Sequence, residues 1–495
     1  MGTDVVVVGA GPTGLSLACG LLAAGVAVRV VDKAPGPATT SRALGLQPRG
    51  VEVLDRLGAL GDLPQRALPV DRVTMIAGGR ELANLRVAQN TSLNGPRALI
   101  MSQADIEAAL RHRLAALGGD VEWGHGVAGL IVGSNAAGVR LDDGSQIDAQ
   151  WVVGADGAHS AVRKAVDIGF PGVPLVERFL LADVRADVDR PRDGVTTWLG
   201  DDAMLAAFPL PGTDLWRLMA PAPPSFADDS GSEDIAGHLC GRFPPGTVGA
   251  VRSVEWTSTF RIQRRLADTY RRGRVLLAGD AAHIHSPFGG QGMNTGIGDA
   301  ENLAWKLALV IRGRAETRLV DTYGAERRPV AEDVLETTSG LTRIVMGDGP
   351  VRRWLRDRVA VPLLNREWMQ RLITDKASQL QISYRRGPLG SPTRPGLSGP
   401  QPGDRIPDRS LTGAGGVTVR LFDALGPGWA VIGDSRLAAV AAERLGDLVA
   451  GFDGTDSHTL LVRPDAHLAW RGSDPEKLRA WLSSQLGSPA GILAR

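Results

Sequence analysis

Residues able to do chemistry are concentrated in one stretch in the middle of the chain. Gly279 to Asn294 reads GDAAHIHSPFGGQGMN and holds a carboxylate, two histidines and several glycines. An apolar run typical of a buried strand precedes it, and apolar residues at helical spacing follow it, from Thr295 to Arg312. Glycines let a backbone approach a ligand closely, and a helix N-terminus offers unpaired N–H groups with partial positive charge. The stretch predicts a site for an anion, or for a ring that becomes anionic, with an ordinary strand-to-helix turn as the alternative.

The two histidines of this stretch, His283 and His285, lie two residues apart. No further ligand is clustered with them, so the sequence predicts no metal site. For His283 a structural role in the loop is favoured over that of a base. Upstream, Arg261 and Gln263 lie on a predicted strand, where they line either a substrate cavity or a solvated face.

A second group of residues with a definite spacing opens the chain. The strand Val5 to Val8 is followed by GAGPTG, a helix from Leu15 to Ala24, a strand from Ala27 to Val31 and then Asp32. This is the order of elements in a dinucleotide-binding βαβ unit. In such a unit the glycines form the turn, approach the pyrophosphate and let helix pack on strand, and the acid binds the ribose hydroxyls. An acid at position 32 does not decide between FAD and NAD.

The elements that must position these residues divide the chain into segments. A segment with a β-like pattern, from 71 to 96, is inserted into the nucleotide-binding pattern. That pattern resumes with a helix from Gln103 to Leu117. Residues 170 to 259 have a β-like pattern with turns marked by proline and glycine, and the region around 386 to 408 is rich in both. We expect a nucleotide-binding domain at 1–70, 97–170 and 270–386, a β-sheet domain suited to form a substrate wall at 71–96 and 171–269, a linker at 387–408 and a C-terminal α/β domain at 409–495.

Composition limits the classes of protein that fit. The chain has 495 residues, 43% of them hydrophobic and 22% charged, which is typical of a globular protein with about three domains. The net charge is +1 and no long basic run occurs, so nucleic acid is not an expected partner. Two cysteines, Cys19 and Cys240, make neither a disulfide framework nor a metal-binding spacing. We expect a cytoplasmic protein.

One uncharged run, Val5 to Val28, has to be considered as a targeting or membrane segment. Leu17, Ala18 and Cys19 within it resemble a lipoprotein cleavage site. The residues before it carry the acidic Asp4 and no basic residue, and glycines and a proline interrupt the run. The sequence therefore predicts neither export nor a membrane span.

Three motifs together resemble those of a known family along the whole chain. They are GAGPTG at Gly9 to Gly14, GADGAHSAVR at Gly154 to Arg163, and GDAAHIHSPFGGQGMN. With the three motifs in this order, the chain resembles the class A flavoprotein monooxygenases. Within them it is similar to the branch of aromatic hydroxylases acting on phenols, polyketides and rifamycin-type substrates. The resemblance implies an α/β fold: a Rossmann-like FAD-binding domain similar to that of p-hydroxybenzoate hydroxylase, a β-sheet substrate domain and a C-terminal thioredoxin-like domain. That last domain lacks Cys-x-x-Cys here, so no redox role is expected of it.

The resemblance also implies where FAD binds. The first motif would hold the pyrophosphate, Asp280 the ribityl chain, and the start of the helix at Gly292 the pyrimidine edge of the flavin. Pro287, Phe288 and Gly289 would lie beside the ring system, although core packing is an equal alternative for Phe288. No catalytic side chain is implied, because this branch shares none. The implied cofactor-binding residues are Gly9, Gly11, Pro12, Thr13, Gly14, Asp32, Lys33, Arg42, Gln103, Val127, Asp156, Gly279, Asp280, Pro287, Gly290, Gly292, Met293 and Asn294.

The implied reaction uses NADPH or NADH to reduce FAD, and O2 to form a flavin C4a-hydroperoxide that hydroxylates an electron-rich aromatic small molecule. A polycyclic polyketide or antibiotic is the first choice of substrate and a simple phenol the second. Only three tyrosines occur, so a tyrosine-rich phenol pocket is not expected. The alternatives are Baeyer–Villiger oxygenation of a polyketide ketone and a non-catalytic FAD-binding protein. A monomer or homodimer is expected, without a nucleic-acid or membrane partner.

Overall fold

The computed structural model describes most of the chain. The described residues are 2–40, 43–87, 93–200, 204–223, 226–227, 230–285, 289–346, 354–391, 399–413, 416–426, 428–454 and 458–487, without the side chains of 174–177, 262 and 338–346.

A six-stranded sheet forms the centre of the first domain. Its strands lie in the order Arg271–Arg272, Val275–Leu277, Trp151–Gly154, Val5–Val8, Val28–Asp32 and Val121–Trp123. All neighbours are parallel except the first pair. The strand Val5–Val8 is entirely valine and fully buried, as expected for a β-branched run covered on both faces of a parallel sheet.

The strand order reverses at Val5–Val8. The chain passes from it to the neighbour Val28–Asp32 on one side and later to Trp151–Gly154 on the other. In open α/β sheets, ligands bind at such a reversal, outside the carboxyl ends of the strands. The helix Pro12–Ala23 begins there and packs on the helix Gly292–Ile311, so closely that a Cβ on Gly20 would lie 2.8 Å from that of Ala304.

A second, eight-stranded sheet holds the segments expected to bind substrate. Its order is His283–Ile284, Val248–Leu266, Gly172–Val188, Leu215–Pro221, Met204–Pro209, Gly194–Leu199, Arg72–Ala77 and Arg80–Leu85. Gly194–Leu199 and Arg72–Ala77 pair in parallel, so two segments far apart in sequence share one sheet. The helix Ser232–Cys240 covers one face, and apolar residues of the helical region Arg356–Ser378 pack on the other.

The last domain has a four-stranded sheet in the order Val449–Phe452, Trp429–Ile432, Thr459–Val462 and Leu468–Gly472. The helices Ser435–Leu445 and Pro475–Leu486 cover it, and its apolar residues form one cluster with Trp305, Leu309 and Leu319 of the first domain. The rings of Trp305 and Trp429 meet edge to face at 5.2 Å. The expected α/β class is confirmed. The domain boundaries given above stay predictions.

Buried charges also join the last domain to the first. Arg463 donates to both carboxylate oxygens of Glu326, at 2.8 and 2.9 Å, and Lys306 donates to the same carboxylate at 2.7 Å. Arg463 and Asp465 pair within the last domain, and Asp465 accepts from the Trp305 indole at 3.2 Å. We call Lys306, Glu326, Arg463 and Asp465 the interdomain charge cluster; all four side chains are fully buried.

Shorter elements complete the fold. The helix expected at 15–24 begins at Pro12, because the last glycine of the loop already lies in its first turn. No helix in the described part of the chain has the length and apolar character needed to cross a bilayer. The remaining elements are the strands Leu44–Leu46, Leu68–Pro69, Leu99–Ser102, Val127–Val132, Ala137–Leu141, Gln146–Ala149, Ser410–Thr412 and Thr418–Arg420, and the helices Pro48–Arg56, Leu63–Arg66, Gln103–Ala116, Ala161–Ala165, Arg318–Met346, Val361–Leu363, Glu367–Ser378 and Leu421–Leu425.

Candidate active site

The three motifs meet at the carboxyl edge of the six-stranded sheet. Each follows one of three adjacent parallel strands, which end at Val8, Gly154 and Leu277. Ala155 N–H donates to the Val8 carbonyl at 2.7 Å, and Ala278 N–H donates to the Gly154 carbonyl at 3.0 Å. Backbone hydrogen bonds therefore hold the loops side by side.

The first loop has space for an anion at a helix N-terminus. Gly9 has φ +106°, and a Cβ there would lie 2.4 Å from the Ala155 carbonyl oxygen. A Cβ on Gly14 would lie 1.9 Å from the Gly9 carbonyl oxygen, whereas one on Gly11 would meet nothing within 4 Å. The helix beginning at Pro12 thus faces open space, which suits a pyrophosphate.

Asp32 is fixed beside this loop. One carboxylate oxygen accepts from Ala10 N–H at 2.7 Å and the other from Ala34 N–H at 2.8 Å. Because a carboxylate oxygen has more than one acceptor site, Asp32 can still bind ribose hydroxyls. His125 N–H donates to the Asp32 carbonyl at 2.9 Å, and this brings Val127, two residues later, towards Asp32 and Lys33.

Thr13 connects the first motif to the third. A Cβ on Gly279, which has φ +60°, would lie 2.5 Å from the Thr13 hydroxyl, and one on Gly296 would lie 2.3 Å from it. Only glycine leaves room for Thr13 at both positions. Asp280 follows and is exposed, yet the protein around it displaces enough solvent to raise the pKa of its carboxyl, which His283 partly opposes.

The helix Gly292–Ile311 starts at this site without a side-chain cap. The N–H groups of Gly292, Met293 and Asn294 therefore lack intrahelical partners and can face a ligand. The Asn294 side chain is buried and used elsewhere: it accepts from Gln47 N–H at 2.8 Å and donates to the Gly290 carbonyl at 2.8 Å. Its contribution to a ligand would come from its backbone.

Three glutamines that the sequence did not single out hold the glycine turn of the third motif. Gln47 and Gln291 both donate to the Gly289 carbonyl, at 2.9 and 3.2 Å. Gln379 donates to the Gln291 side-chain oxygen at 2.5 Å and adopts the left-handed conformation, with φ +60°, after the helix Glu367–Ser378. No sequence pattern marks these residues, because glutamine is common on exposed helices and loops.

The second motif supports the third. Arg163 donates to the Ala281 carbonyl at 2.9 Å and to the Ala158 carbonyl at 3.0 Å, and lies over the Phe170 ring. Asp156 accepts from Ala161 N–H at 2.7 Å at the start of a short helix. The contact with Ala281 holds the Asp280 loop against the second motif.

Some predicted residues have no established contact with this site. Arg42, Pro287 and Phe288 lie outside the described residues. Gln103 begins its helix and donates to Glu107 at 2.7 Å, so its contact with a nucleotide stays a prediction. Arg261 is exposed, and Gln263 accepts from Arg265 at 3.0 Å.

A buried chain of hydrogen bonds lies beneath the third motif. His285 Nε2 lies 2.9 Å from His283 Nδ1, and His283 Nε2 lies 2.6 Å from Asp299 Oδ2. Arg327 donates to the other oxygen of Asp299 at 2.7 Å. Burial opposes ionisation of Asp299, but His283 and Arg327 outweigh it and hold its pKa below the usual range. Burial holds the pKa of His285 well below its usual value.

The third motif also enters the second sheet. His283 and Ile284 pair with Leu266 and Arg265 at the end of the long strand Val248–Leu266. One face of that sheet carries buried apolar side chains, among them Phe179, whose ring stacks on Phe260 at 5.8 Å. One loop thus connects the anion site to an apolar, partly aromatic wall.

Two other features lie outside this arrangement. A cleft of about 530 Å³ between the helix Pro48–Arg56 and the last domain contains none of the predicted cofactor residues, and arginines there pair with acids, as Arg405 does with Glu52. Within the described ranges, no three histidine, cysteine or acidic side chains are grouped to hold a metal.

Comparisons with known proteins agree with this geometry. A family model described as FAD binding domain matches residues 2–338, and one described as aromatic-ring hydroxylase, C-terminal, matches residues 399–489. The chain is 38% identical to the 6-methylpretetramide 4-monooxygenase of Streptomyces rimosus over 419 residues, 82% of this chain and 74% of that relative. It is 34% identical to the rifampicin monooxygenase of Streptomyces venezuelae over 495 residues, 98% of this chain and 99% of the relative.

A solved structure extends the match to the whole fold. The anhydrotetracycline hydroxylase from Streptomyces rimosus superposes with a TM-score of 0.78 at 31% identity, covering 99% of this chain and 100% of that one. The predicted family is thereby confirmed. The chain belongs to the class A flavoprotein monooxygenases and is an FAD-dependent aromatic-ring monooxygenase.

Proposed function

We propose that this enzyme hydroxylates a polycyclic aromatic polyketide, using NADPH or NADH and O2. One observation carries the proposal: the strand His283–Ile284 joins the loop of Asp280 to the apolar, aromatic-bearing sheet. A large flat substrate held between that sheet and the helical region Arg356–Ser378 would have its ring next to the cofactor. A simple phenol is the second choice.

The residues at the sheet edge fit FAD. Gly11 and the N-terminus of the helix Pro12–Ala23 would hold the pyrophosphate, Asp32 the adenosine ribose, and Asp280 the ribityl chain. The redox chemistry would be supplied by bound FAD, with the nicotinamide as electron source and O2 as oxygen source. The individual residue roles are part of the proposal.

The chain itself would stabilise charge and fix geometry. The open N-terminus at Gly292 would favour a negatively charged ring edge by roughly 0.5–2 kcal/mol. Gln47 and Gln291 hold the Gly289 carbonyl in place, so the turn would keep its shape during turnover. The apolar sheet face would exclude water from the reacting centre.

The names of the relatives support the substrate class. Two act on 6-methylpretetramide and on rifampicin, and another relative, 34% identical, is a pentachlorophenol 4-monooxygenase. Polycyclic substrates predominate among them, and for this reason a polyketide is preferred over a simple phenol. A cytoplasmic location, supported by two free cysteines, and a monomeric or homodimeric state belong to the same proposal.

The test is a screen of purified enzyme for NADPH or NADH oxidation with anhydrotetracycline, rifampicin and pentachlorophenol, followed by product mass. We expect visible flavin absorbance and, with a polycyclic compound, a product heavier by one oxygen and still aromatic. Conversion of a ketone to an ester would replace hydroxylation by Baeyer–Villiger oxygenation. A protein that binds FAD but oxidises no nicotinamide with any aromatic would contradict the proposal.

A further inference from the structure

The hydrogen bonds beneath the third motif have a defined direction. Asp299 is fully buried, accepts from Arg327 at 2.7 Å and from Gly279 N–H at 3.1 Å, and is held ionised by its neighbours. An ionised carboxylate only accepts, so the proton in the 2.6 Å contact belongs to His283 Nε2.

The next proton follows from the first. A neutral His283 that donates from Nε2 has a lone pair on Nδ1, which can only accept. With His283 in this neutral form, the 2.9 Å contact has His285 donating from its Nε2. A neutral His285 then has a lone pair on Nδ1, and that atom is shielded from solvent and has no hydrogen-bond partner among the described residues. In this arrangement the chain of hydrogen bonds ends at an unprotonated ring nitrogen of His285.

His285 lies where a base would be useful. A Cβ on Gly292 would lie 4.0 Å from His285 Cδ2, so the ring is next to the helix start that faces the proposed flavin site. Its strand neighbour His283 pairs with the sheet proposed to bind substrate. The base is thus at the junction between the proposed cofactor and substrate sites.

The tyrosines of the chain do not offer an alternative base. Tyr323 donates to the Leu277 carbonyl at 2.9 Å, Tyr384 accepts from Arg327 at 3.0 Å, and Tyr270 is buried. Burial raises the pKa of all three hydroxyls, so none would ionise near neutral pH. The charged groups that face the two histidines are Asp299, Asp280 and Arg264.

We propose that His283 and His285 are both neutral at rest, and that Asp299, His283 and His285 form a proton relay in which Nδ1 of His285 accepts the hydroxyl proton of the aromatic substrate. The inference rests on the proposed hydroxylase function and gives it a catalytic base. His285 would be the catalytic residue, and His283 and Asp299 would be positioning residues.

The protons balance along the chain. The substrate O–H bond breaks, its electron pair stays on the oxygen, and the proton binds His285 Nδ1. His285 releases its Nε2 proton to His283 Nδ1, and the positive charge comes to lie on His283 opposite the Asp299 carboxylate. The ionised hydroxyl makes its ring more electron-rich, and the proton returns along the same path when the product oxygen is protonated.

The resting state of the relay can be tested without substrate. In protein labelled with ¹⁵N at histidine, nitrogen chemical shifts report which ring nitrogens carry protons, and the variant His285→Gln assigns the signals. We expect His285 to be protonated at Nε2 and unprotonated at Nδ1 at neutral pH. Protonation of Nδ1, or equal population of both tautomers, would overturn the relay.

Its role in turnover is tested with the holoenzyme and the product assay. We expect His285→Gln to keep FAD content and flavin spectrum but to lower product formation at pH 7 by about 100-fold or more, as for loss of a general base. The loss should shrink as pH rises, because the substrate hydroxyl then ionises unaided. A merely structural role would not change the pH profile in this way.

A matched variant, His238→Gln, removes a half-buried histidine of the helix Ser232–Cys240, which covers the far face of the second sheet. This histidine contacts Arg242, which follows the helix. It should retain wild-type rate and pH profile. If the wild type makes product and His285→Gln keeps both its rate and its profile, the relay is wrong while the hydroxylase stands. If the wild type binds no FAD, the proposed function fails, and the ¹⁵N shifts still decide the relay.

Discussion

Two glycines of the first loop, Gly11 and Gly14, have different surroundings that alanine variants can separate. A Cβ on Gly14 would lie 1.9 Å from the Gly9 carbonyl oxygen, so Gly14→Ala should destabilise the FAD-free protein by about 2 kcal/mol or more. Gly11 has an ordinary φ of −75° and free space around it, so Gly11→Ala should leave that stability unchanged.

For FAD affinity we expect the opposite order, with Gly11→Ala the more damaging of the two variants. The methyl group of Gly11→Ala would occupy space that the pyrophosphate needs, so we expect FAD affinity to fall roughly tenfold or more, about 1.4 kcal/mol. Thermal unfolding of apoprotein and FAD titration measure the two quantities. Equal FAD affinity in Gly11→Ala and wild type would contradict the placement of the pyrophosphate.

The sequence predicted backbone roles better than side-chain roles. Gly9, Gly11 and Gly14 were identifiable because spacing between a strand and a helix restricts what glycines can do. Asn294 and Thr13 were expected only as cofactor ligands, yet their side chains join loops whose contact depends on the tertiary fold. Asp299 was not singled out, and its partner His283 was favoured as structural.

Among larger elements, the helices Gly292–Ile311 and Arg318–Met346 meet the last domain through the interdomain charge cluster. Removing one member of a buried ion pair leaves its partners unpaired and costs about 3–5 kcal/mol. We therefore expect Glu326→Gln to lower the free energy of unfolding by that amount, since it leaves Arg463 and Lys306 buried without a carboxylate.

The matched control is Asp447→Asn, which breaks the exposed interdomain pair with Arg312 at 2.7 Å. Exposed pairs contribute about 1 kcal/mol or less, so this variant should unfold almost like wild type in urea. If Glu326→Gln and Asp447→Asn destabilised the protein equally, burial of the interdomain charge cluster would not determine how much it contributes to the free energy of unfolding.

The Glu326 carboxylate also makes the stability of the protein sensitive to acid. Burial opposes ionisation of Glu326, but Arg463 and Lys306 lower its pKa from 4.5 to about 2. A lowered folded-state pKa adds stability that is complete above the unfolded value and is lost as pH falls through the folded one. We expect Glu326 to contribute about 3 kcal/mol at neutral pH, and this contribution to decrease between pH 4.5 and about 2.

Urea unfolding at a series of pH values checks this expectation. The wild type should lose more stability than Glu326→Gln as pH falls below 4.5, so the difference between them should narrow. A difference that stays constant through this range would show that Glu326 has an ordinary pKa in the folded protein.

The interdomain charge cluster could not be predicted from the sequence. Arg463 and Glu326 are 137 residues apart, and each looks in sequence like an exposed charge on an element surface. The strand and helix alternation of the last domain was readable, because it depends on local periodicity. Its docking onto the first domain was not, because that depends on long-range pairing.

At the scale of the whole molecule, the first and last domains share an apolar cluster as well as charges. We expect them to unfold together, in one calorimetric transition of the full-length protein. FAD at 100 times its dissociation constant should stabilise that transition by about 2.7 kcal/mol, because it binds the folded state alone. Scanning calorimetry with and without FAD measures both. A separate early transition unaffected by FAD would mean that the last domain folds independently.

The parallel pairing of Arg72–Ala77 with Gly194–Leu199 has a consequence for recombination between relatives. A hybrid enzyme made with one crossover between positions 85 and 194 would take two neighbouring strands of the substrate sheet from different parents. Their register and facing side chains would no longer have evolved together. Exchange of substrate preference therefore requires both segments to be transplanted as a unit, with the intervening nucleotide-binding residues left in place.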